Sequence, residues 1–293
     1  MSRASYVLAT DSCCDLPAKL AETLGLVVLE FPFTVNGAQY FDDLGRSMTP
    51  SAFYGAMRDG AMPTTAQVPL AEYLSAFSAA AEAGTPLLFL SFSSGLSGTY
   101  DAALVARDSV TAEYPAARIR VIDTLGASAH QGLLVLEAAR RRDAGAGFDE
   151  LGDWIEANRH RANGYFTTES LEALRRGGRV SDLAALAGTV LDVKPILRIN
   201  RDGELLVDRS VRGRKKSLRA IADIFASRTD GIARGTVMIA HGDSEDDARR
   251  LEGLLRERAT IDEVLVVDVG PVIGSHTGPG MVAAVFWGQE RDS

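Results

Sequence analysis

Apolar runs of strand length alternate along most of the chain with stretches that have helical periodicity. The run YVLAT at 6–10 predicts a buried strand, and 15–25 a short helix with Asp15 as N-cap, Pro17 in the first turn and Gly25 as terminator. A second strand is expected at 26–33, a hairpin through Asn36-Gly37, and a helix from Thr49-Pro50 to about Gly60. An alanine-rich helix from Pro69 to about Ala83 precedes the apolar strand 86–90, which runs straight into SFSSGLSGTY. A helix at 99–112, a strand at 118–123 and a helix at 128–144 complete alternating units of the kind that build a parallel sheet.

The pattern changes after the Gly-rich turn AGAGFDE at 144–150. A helix through Trp154, a strand at 164–168 and a short helix ending at Gly177-Gly178 lead to 193–211, which reads as two strands joined by a turn at Asp202-Gly203. A basic helix (214–227), a strand (236–240), a helix (244–257), a strand (263–269), a Gly-rich loop and a last apolar segment follow. The expected architecture is α/β in two domains. Residues 1–163 hold a mostly parallel sheet flanked by helices, and 164–293 form an α/β domain with an antiparallel element.

Composition narrows the class. With 46% hydrophobic and 24% charged residues over 293 positions, the chain can form a dry core and is neither disordered nor collagen-like. Its 31 basic residues against 39 acidic ones give a net charge of -8, which argues against nonspecific binding to nucleic acid. The apolar runs fall far short of the roughly 18 residues that span a bilayer, and the first residues lack a signal-like apolar stretch. Cys13 and Cys14 are adjacent and cannot staple distant segments; they are expected as small buried hydrophobes, with a redox-sensitive pair as the alternative. A cytoplasmic protein with no stable membrane insertion is the expectation.

Three segments concentrate hydroxyls and glycines: PTTAQ (63–67), SSGLSGT (93–99) and GSHTGPG (274–280), all expected as loops. Gly95-Leu96-Ser97-Gly98-Thr99 lacks the second glycine of a nucleophile elbow, and no phosphate-binding loop or dinucleotide fingerprint occurs. Short hydroxyls, with glycines that admit backbone N–H groups, suit an anion such as a carboxylate or phosphate. The competing reading is that Ser94, Ser97 and Thr99 merely cap the following helix. His276, between Ser275 and Thr277, could hydrogen-bond a ligand, whereas His130, His160 and His241 have no comparable sequence setting. No histidine spacing supports a metal site, and Asp11-Ser12 is expected to close a turn beside the site. Five cations, Arg212, Arg214, Lys215, Lys216 and Arg219, form either a solvated helix face or a docking surface.

Taken in order, TDSCCDLP (10–17), PTTAQ, SSGLSGTY (93–100), LRRGGRVS (174–181), VKPIL (193–197), VRGRKK (211–216) and GSHTGPG resemble the DegV family over almost the whole chain. The resemblance implies a DegV-like fold with a ligand tunnel between two domains, no cofactor, and a bound long-chain fatty acid such as palmitate. It also implies that the chain is not itself an enzyme. It would be the binding subunit of a fatty acid kinase feeding phospholipid metabolism, with a separate ATP-binding subunit as partner. By motif match, Thr65, Ser97 and His276 look like the carboxylate-binding groups. Asp11, Ser12, Thr64, Ser94, Gly95, Gly98, Arg179, Ser275 and Thr277 look like supporting residues, and Arg179, Arg212, Arg214, Lys215 and Lys216 like docking residues. Cys13-Cys14, and Ala66 where a serine often follows the second threonine, depart from the usual pattern. Two rival readings are a stand-alone serine/histidine hydrolase or phosphotransferase using Ser97 and His276, and a lipid-sensing regulatory module.

Overall fold

The computed structural model describes residues 6–180 and 192–292; Ser181, the last residue of the LRRGGRVS motif, lies outside them. Four parallel strands form the first sheet in the order Val27–Leu29, Val7–Asp11, Leu87–Ser91, Ile119–Asp123. Every residue of Leu87–Ser91 is buried. A strand covered on both faces needs apolar residues at successive positions, which is why this one reads as an unbroken apolar run.

A six-stranded sheet follows, ordered Leu205–Arg212, Val193–Ile199, Ala162–Thr167, Val282–Trp287, Ile232–His241, Thr260–Asp268. All its pairings are antiparallel except Ile232–His241 with Thr260–Asp268, so the antiparallel character extends well beyond the single hairpin read from the sequence. Helix Ala129–Asp143 packs against strands of both large sheets, and Ala129 to Leu136 are all buried. Its residues join the core that unites Leu88, Phe89 and Leu134 with Phe166, Leu197 and Met238. Full burial of side chains this size contributes roughly 1.5–3 kcal/mol each before entropy is counted.

A small third sheet, Ala38–Phe41, Pro32–Val35, Thr64–Thr65, stands beside these layers. Its hairpin turns through Asn36 (φ 52°) and Gly37 (φ 79°), the positive pair that a two-residue turn needs to follow strand twist. Helix Pro50–Arg58 begins at Thr49, whose hydroxyl accepts the Ala52 N–H at 3.2 Å.

Three local expectations are corrected. The helix expected at 15–25 is shorter, Ala18–Thr23, with Pro17 at its N-cap position. Asp15 does not cap it but ends a tight turn, Ser12–Cys14, at φ 50°. Thr64-Thr65 is a strand edge rather than a loop, pairing with Thr34 and Phe33. The Gly-rich segment near 274 is largely helical, Pro271–Thr277, because Pro271 opens it and burial of Val272, Ile273 and Ser275 outweighs the weak helix propensity of glycine, serine and threonine. No helix among the described residues is long and apolar enough to cross a membrane. Cys13 and Cys14 are free thiols with no exposed surface, and burial holds both well above the usual thiol range.

Candidate functional site

A cavity of about 910 Å³, its open mouth included, is lined by Phe31, Phe92 and Ala127 from the first half of the chain and Phe166, Ile273 and Val285 from the second. The walls are mainly apolar, and the polar groups that interrupt them are few: Thr65, Gln67, Ser97, Ser128, His130, Arg179, His276 and Thr277 among them.

Two of these meet directly. The Thr65 hydroxyl and His276 Nε2 stand 2.8 Å apart, a hydrogen bond spanning 211 positions of sequence. The edge strand Thr64–Thr65 presents the threonine, and the last turn of helix Pro271–Thr277 presents the histidine. His276 Nδ1 faces Gly177 but has no hydrogen-bond partner, and the Gly177 carbonyl already accepts Arg179 Nη1 at 2.6 Å. Burial, reinforced by the Arg179 charge, pushes the His276 pKa down to about 4. The ring is therefore neutral near pH 7, able to exchange a hydrogen bond with Thr65 or an incoming acid without carrying a charge.

Ser97 has two roles. Its Oγ lies 2.9 Å from Thr99 Oγ1 and accepts the Thr99 N–H at 3.3 Å, which is the capping role, and it also lines the cavity. Arg179 and Thr277 line the cavity too, although the Thr277 hydroxyl donates to the Ile273 carbonyl at 3.1 Å. Gly98 abuts Gln67: a β-carbon there would meet Oε1 at 3.2 Å.

The remaining sequence candidates do not line the cavity. Asp11 has no exposed surface and accepts N–H groups from Cys13 (3.2 Å), Phe92 (2.8 Å) and Gln131 (3.1 Å), so it braces the strand ends; burial raises its pKa to about 7. Ser12 accepts the Phe31 N–H, and the Ser275 hydroxyl donates within its own helix to Pro271. Thr64 is exposed; Ser94 donates its N–H to Asp123, and Gly95 packs on the Asp202-Gly203 turn. Of the basic cluster, Arg212, Lys215, Lys216 and Arg219 are exposed, but Arg214 is turned inward, bonding Asp247 and the Gly280 carbonyl at 2.7 Å each. Its guanidinium is committed to holding the end of the GSHTGPG segment.

Three polar cavity residues in particular were given no site role by the sequence. Gln67 was quoted within PTTAQ without a role, Ser128 was read only as a helix start, and His130 was set aside, yet all three line the wall. His130 is fully buried, its Nε2 is 2.8 Å from the Ala162 carbonyl, and burial lowers its pKa to about 3. No sequence signal marks it, because only the tertiary fold brings this helix start to the cavity. Among the described residues no group of three His, Cys, Asp or Glu side chains stands close enough to hold a metal ion.

Comparison with known proteins agrees with this architecture. The sequence model of a family described as "Uncharacterised protein, DegV family" matches residues 6–289. A DegV domain-containing protein of Clostridium perfringens is 39% identical over 287 residues, covering 98% of this chain and 99% of the relative. The solved structure of a DegV family protein from Thermus thermophilus, described by its fatty acid binding, superposes with a TM-score of 0.86 at 31% identity and covers 97% of this chain and 99% of that one. A fatty acid binding DegV family protein from Streptococcus agalactiae gives a TM-score of 0.84 at 29% identity, with 97% and 99% covered. The chain belongs to the DegV family.

Proposed function

We propose that this protein binds a long-chain fatty acid, with the acyl chain in the apolar cavity and the carboxylate held by Thr65, Ser97 and His276. The observation that carries the reading is the Thr65–His276 pair on the wall of an otherwise apolar cavity. Burying about 14 methylenes at roughly 0.8 kcal/mol each gives a gross gain near 11 kcal/mol before ordering and association costs are subtracted. The head group then needs donors, since a carboxylate resists desolvation without them. Two hydroxyls and a neutral imidazole supply them, and Arg179 adds positive charge near the same wall. Relatives of similar fold described as fatty acid binding support this assignment.

In the same reading the protein presents its ligand to a separate ATP-dependent kinase subunit, which forms the acyl phosphate. The sequence contains no phosphate-binding loop, and exposed Arg212, Lys215 and Lys216 suit docking onto an acidic partner. We divide the chain near residue 163, because the parallel sheet precedes this point and the six-stranded sheet begins with Ala162–Thr167. A Ser97/His276 hydrolase is disfavoured by geometry: His276 Nε2 is engaged by Thr65, and Ser97 by Thr99.

Native mass spectrometry of gently purified protein tests the binding claim. An adduct of fatty acid mass is expected; protein that stays bare after incubation with palmitate or oleate overturns it. For presentation, acyl phosphate should form only when kinase and ATP are added, and charge reversal at Lys215 and Lys216 should block that step while sparing binding.

A further inference from the structure

The helix that carries His276 at its last turn begins against a second hollow, lined by Asp15, Asp42, His241, Glu245, Arg249, Asp268 and Gly270 among others, which the lipid reading leaves without a role. Asp15 has both carboxylate oxygens occupied. Oδ1 accepts the Gly270 N–H at 2.9 Å, immediately before the helix, and Oδ2 accepts the Ser128 hydroxyl. Ser128 lines the lipid cavity and sits at φ 57°, a conformation that a non-glycine residue holds only when its surroundings enforce it. One carboxylate thus ties the cavity wall to the base of the helix that presents His276.

Asp42 approaches the same point from the other side. It follows strand Ala38–Phe41, whose partner strand also pairs with Thr64–Thr65, so Asp42 belongs to the small sheet that presents Thr65. Its side chain is buried: Oδ1 accepts the Leu44 N–H at 3.3 Å and Oδ2 has no partner. A β-carbon on Gly270 would meet Asp15 Oδ1 at 2.8 Å and Asp42 Oδ2 at 3.1 Å, so both carboxyls converge over one α-carbon.

Two buried carboxyls this close resist double ionisation. Asp15, with a donor on each oxygen, is the better place for the charge, and Asp42, with one bare oxygen, the better place for the proton. Burial and the surrounding acidic groups favour retention of that proton and outweigh the Leu44 N–H and the Ser12 hydroxyl, which favour the charged form. Asp43 neighbours Asp42 on its own segment, and Asp11, Cys13 and Cys14 stand at the end of the first strand. Tyr54 contributes its hydroxyl from helix Pro50–Arg58, donating to the Val269 carbonyl at 3.0 Å. Across the hollow, Asp268 stands 3.6 Å from His241, and the Arg249 guanidinium is spent on Glu245 and Glu252, each at 3.2 Å. Burial raises the Asp15 pKa to about 7 and holds that of Asp42 well above the ordinary carboxylate range.

We propose that Asp15 is a positioning residue of the lipid site and Asp42 its proton-bearing partner: together they hold the Thr65 sheet, the Ser128 wall and the His276 helix in register only while Asp42 is uncharged. Ligand affinity then falls as Asp42 loses its proton. The inference rests on the fatty acid reading above.

The test is the affinity of the full chain for a fluorescent fatty acid from pH 6 to pH 9, for wild type, Asp42→Asn, Asp15→Ala and Ser128→Ala, with folding followed by circular dichroism. Asp42→Asn copies the protonated carboxyl, so it should match wild type at pH 6 and keep its affinity at pH 9, where wild type binds at least tenfold more weakly. Asp15→Ala should bind at least tenfold more weakly throughout. Ser128→Ala, which removes one donor to Asp15 without changing charge, should bind at least threefold more weakly and serves if the Asp variants do not fold. Superimposable pH profiles for wild type and Asp42→Asn, or wild-type affinity in Asp15→Ala or Ser128→Ala, would overturn the proposal alone. A wild type that binds no fatty acid at any pH would overturn the lipid reading and the proposal with it.

Discussion

The two ends of helix Pro271–Thr277 are both rich in polar groups, yet they differ in what those groups have left to give. At the base, Asp15 spends both oxygens on Gly270 and Ser128, and the neighbouring charges are largely paired within the protein. At the tip, His276 and Thr65 hold only each other, beside a mainly apolar cavity. Density of polar residues therefore does not mark the end proposed to bind the lipid. What marks it is spare hydrogen-bonding capacity facing apolar space, because a ligand gains there what water cannot supply as cheaply.

Filling the apolar space should break the contrast most strongly. Ala127→Trp places an indole in the cavity and is expected to weaken fatty acid binding at least about a hundredfold, close to 2.7 kcal/mol, while the protein remains folded. Competition with a fluorescent fatty acid measures it, and unchanged affinity would show that the tail lies elsewhere. His276→Ala is expected to cost about ten- to a hundredfold in the same assay, the range of a hydrogen bond to a charged group.

At the base the readout is stability. Gly270→Ala puts a methyl group against Asp15 Oδ1 and Asp42 Oδ2, a contact that backbone-anchored carboxyls cannot avoid cheaply. It should lower stability by about 1–3 kcal/mol and Tm by a few degrees in a calorimetric scan. A melting temperature equal to wild type would mean that the junction is loosely packed.

The smallest effects separate the ends by pH. His276 has a folded pKa of about 4, below the unfolded value near 6.5, so its contribution to stability is lost as pH falls from about 6.5 to 4. Asp42 is held well above its unfolded value near 4, so its contribution is lost as pH rises from about 4 through its raised folded value. His276→Ala should therefore flatten the acid arm of a Tm-against-pH curve, and Asp42→Asn the alkaline arm, by a few degrees each. Parallel curves for wild type and variants would contradict these assignments.

Much of this arrangement was legible in the sequence, and the remainder has identifiable physical reasons. Strand Leu87–Ser91 announced itself because a fully buried strand must be apolar throughout, and the Asn36-Gly37 turn because few residues accept two positive φ angles. Helix Pro271–Thr277 was masked by residues that favour loops when solvated and was stabilised only by burial of Val272 and Ile273. Asp15 looked like a helix cap because its partners, Ser128 and Gly270, lie 113 and 255 positions away. His130 carried no local mark for the same reason. Thr65 and His276 were found through motifs rather than periodicity, and their contact across 211 residues is information that a single sequence holds only as resemblance.

The most direct test of the central claim compares a fatty acid with its methyl ester in wild type and Thr65→Val. The account predicts that wild type prefers the acid at least tenfold and that the variant largely loses this preference while still binding the ester. Equal wild-type affinity for acid and ester, or an unchanged preference in Thr65→Val, would contradict a carboxylate held at the Thr65–His276 end of the cavity.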